Sequence, residues 1–252
     1  MNVPVTTNQK TTATSPAPVD IVLLAGLLCD ETIWAGVAER LSAFARVHII
    51  SFARFSSLEA MADHVLMLGP VRFVLIGHSM GGRVALEAVR KAPERVSAVG
   101  LFNTGAHPCE DHEPTSRLAL VALARQRGMR ALAERWLPPM LDVDHPPSAA
   151  VLDQLLKMVE RQTPESFAGQ ISALLNRPDG TEVLHEVQMP VLLMSATGDR
   201  WSPVDQHEAM LRHIPHAELV VIEEASHMAL VEKPAAVADA IQQWLDRSLP
   251  AR

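Results

Sequence analysis

Residues 71–91 run Val71-Arg72-Phe73-Val74-Leu75-Ile76-Gly77-His78-Ser79-Met80-Gly81-Gly82-Arg83-Val84-Ala85-Leu86-Glu87-Ala88-Val89-Arg90-Lys91. Three regimes follow one another here. Residues 71–76 are apolar apart from Arg72, as in a strand buried on both faces of a parallel sheet. Residues 77–82 form a glycine-rich turn. From Met80 to Lys91 the pattern is helical and stops before Pro93. The turn contains G-x-S-x-G between a strand and a helix, a setting that presents the Ser79 hydroxyl above the sheet. Such a turn is sharp, and the residues two before and two after the serine press against neighbouring backbone. A residue without Cβ fits there, which explains Gly77 and Gly81. The serine also lies at a helix N-terminus, where N–H groups and the dipole favour developing negative charge. The plain alternative is a glycine-rich turn with an incidental serine; the strand before it and the helix after it weigh against that.

Working outward, further strands are predicted at residues 19–24, 47–52, 96–102, 191–195 and 219–222. Helices are predicted at 30–44, 57–68, 204–213 and 234–249. This alternation implies βαβ units, hence an α/β fold: about six parallel strands with helices on both faces. One segment breaks it. Residues 115–127, 129–136, 149–162 and 164–175 are all helical in pattern, punctuated by prolines. Four helices are too many for one crossover, so a lid is expected at about 106–185. Residues 1–18 are rich in Thr, Ser, Pro and Asn and are expected to be a mobile tail, leaving 19–252 as one domain.

The chain has 252 residues, 48% apolar and 20% charged, which excludes wholesale disorder. Aromatic residues are only 4% with no Tyr, so the core must be aliphatic. A net charge of −7 argues against nucleic acid or an anionic membrane as the main partner. The longest apolar run, Ile21 to Leu28, is far short of the ~20 residues of a membrane helix. Lys10 upstream and Cys29 downstream imitate a lipoprotein signal, but Asp20 abuts the run and Leu28 replaces the small residue. Cys29 and Cys109 cannot form a disulfide framework. A cytoplasmic location is expected.

A serine needs a base, and the base needs an acid. Asp199, in Gly198-Asp199-Arg200, follows the strand at 191–195. His227, in Ser226-His227-Met228, follows the strand at 219–222. Alone, the first reads as a turn aspartate and the second as a loop histidine. Both fall at carboxyl ends of predicted strands, where open parallel sheets place their sites. With Ser79 they give the chain order serine, acid, histidine.

The chain resembles the α/β-hydrolase superfamily, in particular its small serine esterase and enol-lactonase-like branch. The resemblance rests on Leu23-Leu24-Ala25-Gly26-Leu27-Leu28-Cys29-Asp30, on Gly77 to Gly82, on Gly198-Asp199-Arg200-Trp201-Ser202-Pro203 and on Ser226 to Pro234. It covers roughly residues 19–105 and 175–248. It implies that Ser79 attacks an acyl carbonyl, that His227 moves the proton and that Asp199 orients the imidazole. It also implies an oxyanion hole from the backbone N–H groups of Met80 and Leu27. Two departures stand out: Ala25 replaces the usual histidine before Gly26, and no antiparallel hairpin can be read before residue 19.

The function so implied is hydrolysis of a small-molecule carboxylic ester or lactone through an acyl-enzyme, without cofactor or metal, by a monomer or homodimer. Leu28, Asn103, Trp136, Trp201 and Met228 are the candidate substrate contacts. Together with Met129, Met140 and Met158 they suggest an adaptable apolar pocket suited to uncharged esters. Carbon–carbon hydrolysis and cofactor-free haloperoxidase or perhydrolase chemistry are alternatives on the same fold. A non-catalytic binding module is the alternative of another class. His107-Pro108-Cys109-Glu110-Asp111-His112 lacks a zinc spacing and reads as a loop leading to the lid. His78 reads as structural, and Cys29 lacks a base–acid pair.

Overall fold

The computed structural model describes residues 18–249. Residues 1–17, nearly all of the expected tail, lie outside the described residues. The chain forms β1 (Val19–Leu24), a 3-10 turn (Glu31–Trp34) running into α1 (Ala35–Leu41), β2 (Ala45–Ile50), α2 (Leu58–Leu68), β3 (Phe73–His78), α3 (Met80–Lys91) and β4 (Val96–Phe102). Next come α4 (Glu113–Trp136), α5 (Ala149–Glu160), α6 (Pro164–Leu175) and α7 (Thr181–Glu186). The chain then completes β5 (Val191–Ala196), α8 (Val204–His213), β6 (Glu218–Ile222), α9 (Ala229–Glu232) and α10 (Pro234–Ser248).

The six strands form one sheet in the order β2-β1-β3-β4-β5-β6, and every pairing is parallel. Every residue of β3, β4 and β5 is buried, which is why these strands read as unbroken apolar runs. The edge strands β2 and β6 are half-covered and carry polar residues. From β1 the chain turns first to β2 on one side and then to β3 on the other. The crevice beyond the carboxyl ends of β1 and β3 is therefore the point where strand order reverses, the usual ligand site of an open parallel sheet.

Local signals account for most helix starts. Ser57, Ser148 and Thr163 cap α2, α5 and α6 through their hydroxyl oxygens, and Pro164 takes the first position of α6. The helix expected over 30–44 is shorter: Asp30 caps a 3-10 turn, and α1 ends at Leu41. Trp34 from that turn is fully buried and donates its indole N–H to the Leu24 carbonyl at 3.1 Å.

Between β4 and β5 lies the helical insert. The two helices expected at 115–127 and 129–136 are arms of α4, bent at Gly128 where φ is 82° and ψ 172°. A side chain there would meet no atom within 4 Å, so the positive φ alone calls for glycine. The short α7 was not expected; six residues are too few to show a helical period. The Gly180 N–H donates to the Ala106 carbonyl at 2.8 Å, closing the insert where it leaves and rejoins the sheet.

Candidate active site

Ser79 joins the end of β3 to the start of α3. Its backbone stands at φ 54°, ψ −117°, in the left-handed half of conformational space. The surroundings hold it there. Its N–H donates to the Phe102 carbonyl at 2.9 Å. Its own carbonyl accepts from the Gly82 N–H at 3.0 Å and the Thr104 hydroxyl at 2.7 Å. A Cβ on Gly77 would lie 2.2 Å from the Gly81 carbonyl oxygen, and one on Gly81 would lie 2.5 Å from that of Leu24. Both glycines are required by backbone, as the sequence suggested.

The loop after β6 carries His227 to Ser79: His227 Nε2 lies 3.0 Å from Ser79 Oγ. His227 Nδ1 lies 3.1 and 3.0 Å from the two carboxylate oxygens of Asp199. Asp199 is buried after β5 and accepts from the Trp201 and Ser202 N–H groups at 2.8 and 2.9 Å. The Asn103 amide adds a fourth group, donating to Asp199 Oδ2 at 2.8 Å. Burial opposes the Asp199 charge, but the adjacent His227 and these donors overcome it and hold the carboxyl well below the usual range. Glu232 fixes the loop, accepting from the Ser226 N–H at 2.8 Å and the Asp142 N–H at 2.7 Å. His78, one residue before the serine, donates Nε2–H to the His227 carbonyl at 2.8 Å. Burial, and then the neighbouring His227, push His78 down to about 3, so it is neutral. Its Nδ1 is buried without a partner.

Met80 is the first residue of α3, so its N–H has no acceptor within the helix. Among the described residues neither it nor the Leu27 N–H finds a hydrogen-bond acceptor. The next amide is different. Leu28, at φ 61°, donates its N–H to Gln170 Oε1 at 2.8 Å, and Gln170 Nε2 donates to the Phe52 carbonyl at 3.1 Å. Gln170 is fully buried on α6, so the insert holds the loop after β1 in place. Cys29 is buried beside it, its thiol bonded to the Leu27 carbonyl and pushed up by burial, an inert thiol.

A cavity of about 320 Å³ opens above Ser79. Ser79, His227, Leu27 and Met80 form its floor, and Trp136, Met140, Ile171 and Leu174 from the insert form an apolar wall with Trp201. Three of the expected contacts lie elsewhere. Leu28 is rotated into the core by its left-handed backbone, and Asn103, also at positive φ, serves Asp199 instead. The buried Met228 does not line the cavity either, and Met129 and Met158 are core residues. The expectation of a purely apolar pocket also needs correction, because Arg83, Arg117, Arg177 and Arg200 share the wall. They come from four separate segments, so no sequence window shows them together. The one visible signal is that Arg83 lies in the first turn of the helix that follows Ser79. His107 and His112 reach the cavity as well. Among the described residues no group of three or more His, Cys, Asp or Glu is placed to hold a metal ion. No described helix is long and apolar enough to cross a membrane.

This geometry agrees with what the chain is similar to. It is 28% identical over 246 residues to a pimeloyl-acyl-carrier-protein methyl ester esterase of Nitrosomonas europaea, covering 89% of this chain and 94% of that protein. It is 29% identical over 192 residues to 3-oxoadipate enol-lactonase 2 of Acinetobacter baylyi, covering 75% and 68%. The structure superposes on a malate-bound thermophilic esterase from Thermogutta terrifontis with a TM-score of 0.82, at 28% identity over 93% of this chain and 92% of that one. Residues 21–240 match the model of the alpha/beta hydrolase family. With six parallel strands, a serine on a left-handed turn after β3 and a match spanning most of its length, the chain belongs to the alpha/beta hydrolase family.

Proposed function

We propose that this chain is a carboxylic ester and lactone hydrolase acting through Ser79, His227 and Asp199. The observation that carries the reading is the continuous hydrogen-bonded line from Ser79 Oγ to His227 and on to Asp199, opening on the cavity. The esterase and enol-lactonase relatives support the same substrate class.

Ser79 Oγ bonds to the acyl carbon while its proton passes to His227 Nε2. The carbonyl oxygen becomes an oxyanion facing the Met80 and Leu27 N–H groups, which are worth about 3–4 kcal/mol each in related sites. The bond to the alcohol oxygen then breaks as His227 returns the proton to it. Water repeats the sequence on the acyl-enzyme and releases the acid. Asp199 keeps the Nδ1 proton of His227 in place throughout. The helical insert acts as the lid, excluding water from the acyl group and setting its shape. The buried, reduced thiol of Cys29 suits a cytoplasmic setting.

The test is release of p-nitrophenol from acetate, butyrate, octanoate and laurate esters by the wild type, Ser79→Ala and His227→Ala. Turnover in the wild type and a loss of at least about 1,000-fold in each variant, with unchanged thermal melting, is the expected result. Full activity in either variant removes that residue from the mechanism.

A further inference from the structure

The arginines of the cavity are not equivalent. Arg177 is saturated: it donates to the carbonyls of His107 (3.2 Å), Leu174 (2.9 Å) and Pro108 (2.8 Å) and to both carboxylate oxygens of Glu113. It is a clasp tying the start of the insert to its end. Arg117 gives two hydrogen bonds to Glu113 Oε2, at 2.9 and 2.6 Å. Arg83 makes one hydrogen bond, from Nη1 to the His107 carbonyl at 2.7 Å. Four of its five N–H donors are unused among the described residues. Among the described residues it has no carboxylate within ion-pair distance, whereas Arg117 and Arg177 share Glu113.

One carboxylate, Glu113, thus shares the cavity lining with four guanidinium groups, Arg200 included, in a chain whose net charge is −7. The local field is positive against the sign of the whole molecule, and a confined cavity focuses it. Burial and then the neighbouring Arg177 pull Arg83 down to about 9, still cationic at neutral pH. Arg83 also lies in the first turn of α3, the helix that starts just after Ser79, and the two line the same cavity. We propose that the cavity selects esters and lactones whose acyl part carries a free carboxylate, which Arg83 receives as a bidentate pair while Ser79 attacks the carbonyl. A guanidinium fork matches a carboxylate in this way, and the half-buried Arg83, with no carboxylate partner among the described residues, still has donors to offer. The acyl half stays on Ser79 after the alcohol has left. An anchor on the serine's own helix therefore holds it through both steps. The volume of about 320 Å³ suits a short diacid rather than a long chain.

This inference rests on the serine-hydrolase reading, and the experiment separates the two. The kcat/KM values for monomethyl glutarate and for methyl pentanoate are compared in the wild type, Arg83→Gln and Arg83→Lys. Glutarate binding is measured by calorimetry, and Ser79 is probed with a fluorophosphonate label. The wild type should prefer the hemi-ester. Arg83→Gln should lower kcat/KM for it by about 100-fold, mostly through KM, and reverse the preference. Arg83→Lys should recover only part, because a point charge replaces a fork; it also serves as the comparison if Arg83→Gln does not fold. Glutarate should bind the wild type and not Arg83→Gln. Labelled Ser79 with the same hemi-ester preference in all three proteins overturns the inference and leaves the hydrolase reading intact. An unlabelled chain inert to both esters defeats the hydrolase reading. Glutarate binding then decides: if it depends on Arg83 the carboxylate site stands, and if not it falls.

Discussion

Position 79 shows how much the chain invests in one side chain. A residue with a Cβ at φ 54° is strained, and such strain persists only where the surroundings over-determine it. Here the two flanking glycines do so, which gives a sharp contrast to test. Gly77→Ala drives a Cβ to 2.2 Å from the Gly81 carbonyl oxygen and 2.5 Å from the Gly82 nitrogen, all backbone that cannot move aside. A loss of about 4 kcal/mol or failure to fold is expected. Gly128→Ala meets open space and pays only for its positive φ, about 1–2 kcal/mol. Thermal melting of both variants checks the order; equal losses contradict it. At this scale the sequence is informative where backbone geometry follows from the motif, as for the sharp turn at Ser79 and the two glycines that permit it. It misleads where the backbone turns a side chain unexpectedly. Leu28 and Asn103 follow strands β1 and β4, a position that suggests substrate contact, yet both stand at positive φ and neither lines the cavity.

Among the elements, α6 does more than cover the site. Gln170 reaches from it to the Leu28 N–H and the Phe52 carbonyl, so the loop carrying the Leu27 amide is positioned by a helix about 140 residues away in sequence. Gln170→Leu keeps the volume and strands both buried groups, at a cost of about 1–3 kcal/mol. The expected signature is a drop in kcat of about 10-fold with KM little changed, because the oxyanion forms only in the transition state. A purely structural role would lower the melting temperature and leave kcat intact; Gln170→Glu, which keeps the acceptor oxygen, should retain more kcat than Gln170→Leu. Strands and capped helices were legible because burial and capping are local. The tie from Gln170 and the cluster of Arg83, Arg117 and Arg177 were not, because each joins segments that only the fold brings together.

For the whole molecule, acid is the informative stress. Glu113 is buried against its charge, yet Arg177 and Arg117 hold it well below its ordinary 4.5, and Asp199 is held below its ordinary 3.8. A carboxyl lowered in the folded state contributes stability above its unfolded value and loses it as pH falls towards the folded one. The melting temperature should therefore begin to fall below about pH 6.5, where the buried neutral histidines His78 and His207 charge only in the unfolded chain, and fall more steeply below about pH 4, where Glu113 and Asp199 are protonated. Glu113→Gln should melt lower at neutral pH and show a shallower acid slope; parallel slopes would remove Glu113 from the account. The strand ends of the sheet carry Ser79, Asp199 and His227, while most of the apolar wall comes from the insert, whose two ends are joined by the Gly180–Ala106 hydrogen bond and by the Arg177 clasp. The proposed triad and the shape of the apolar wall thus come from different stretches of chain. The insert is a cassette: an exchange that leaves the site in place must bring an acceptor to the Leu28 N–H and a donor to Glu232, as Gln170 and Asp142 do here.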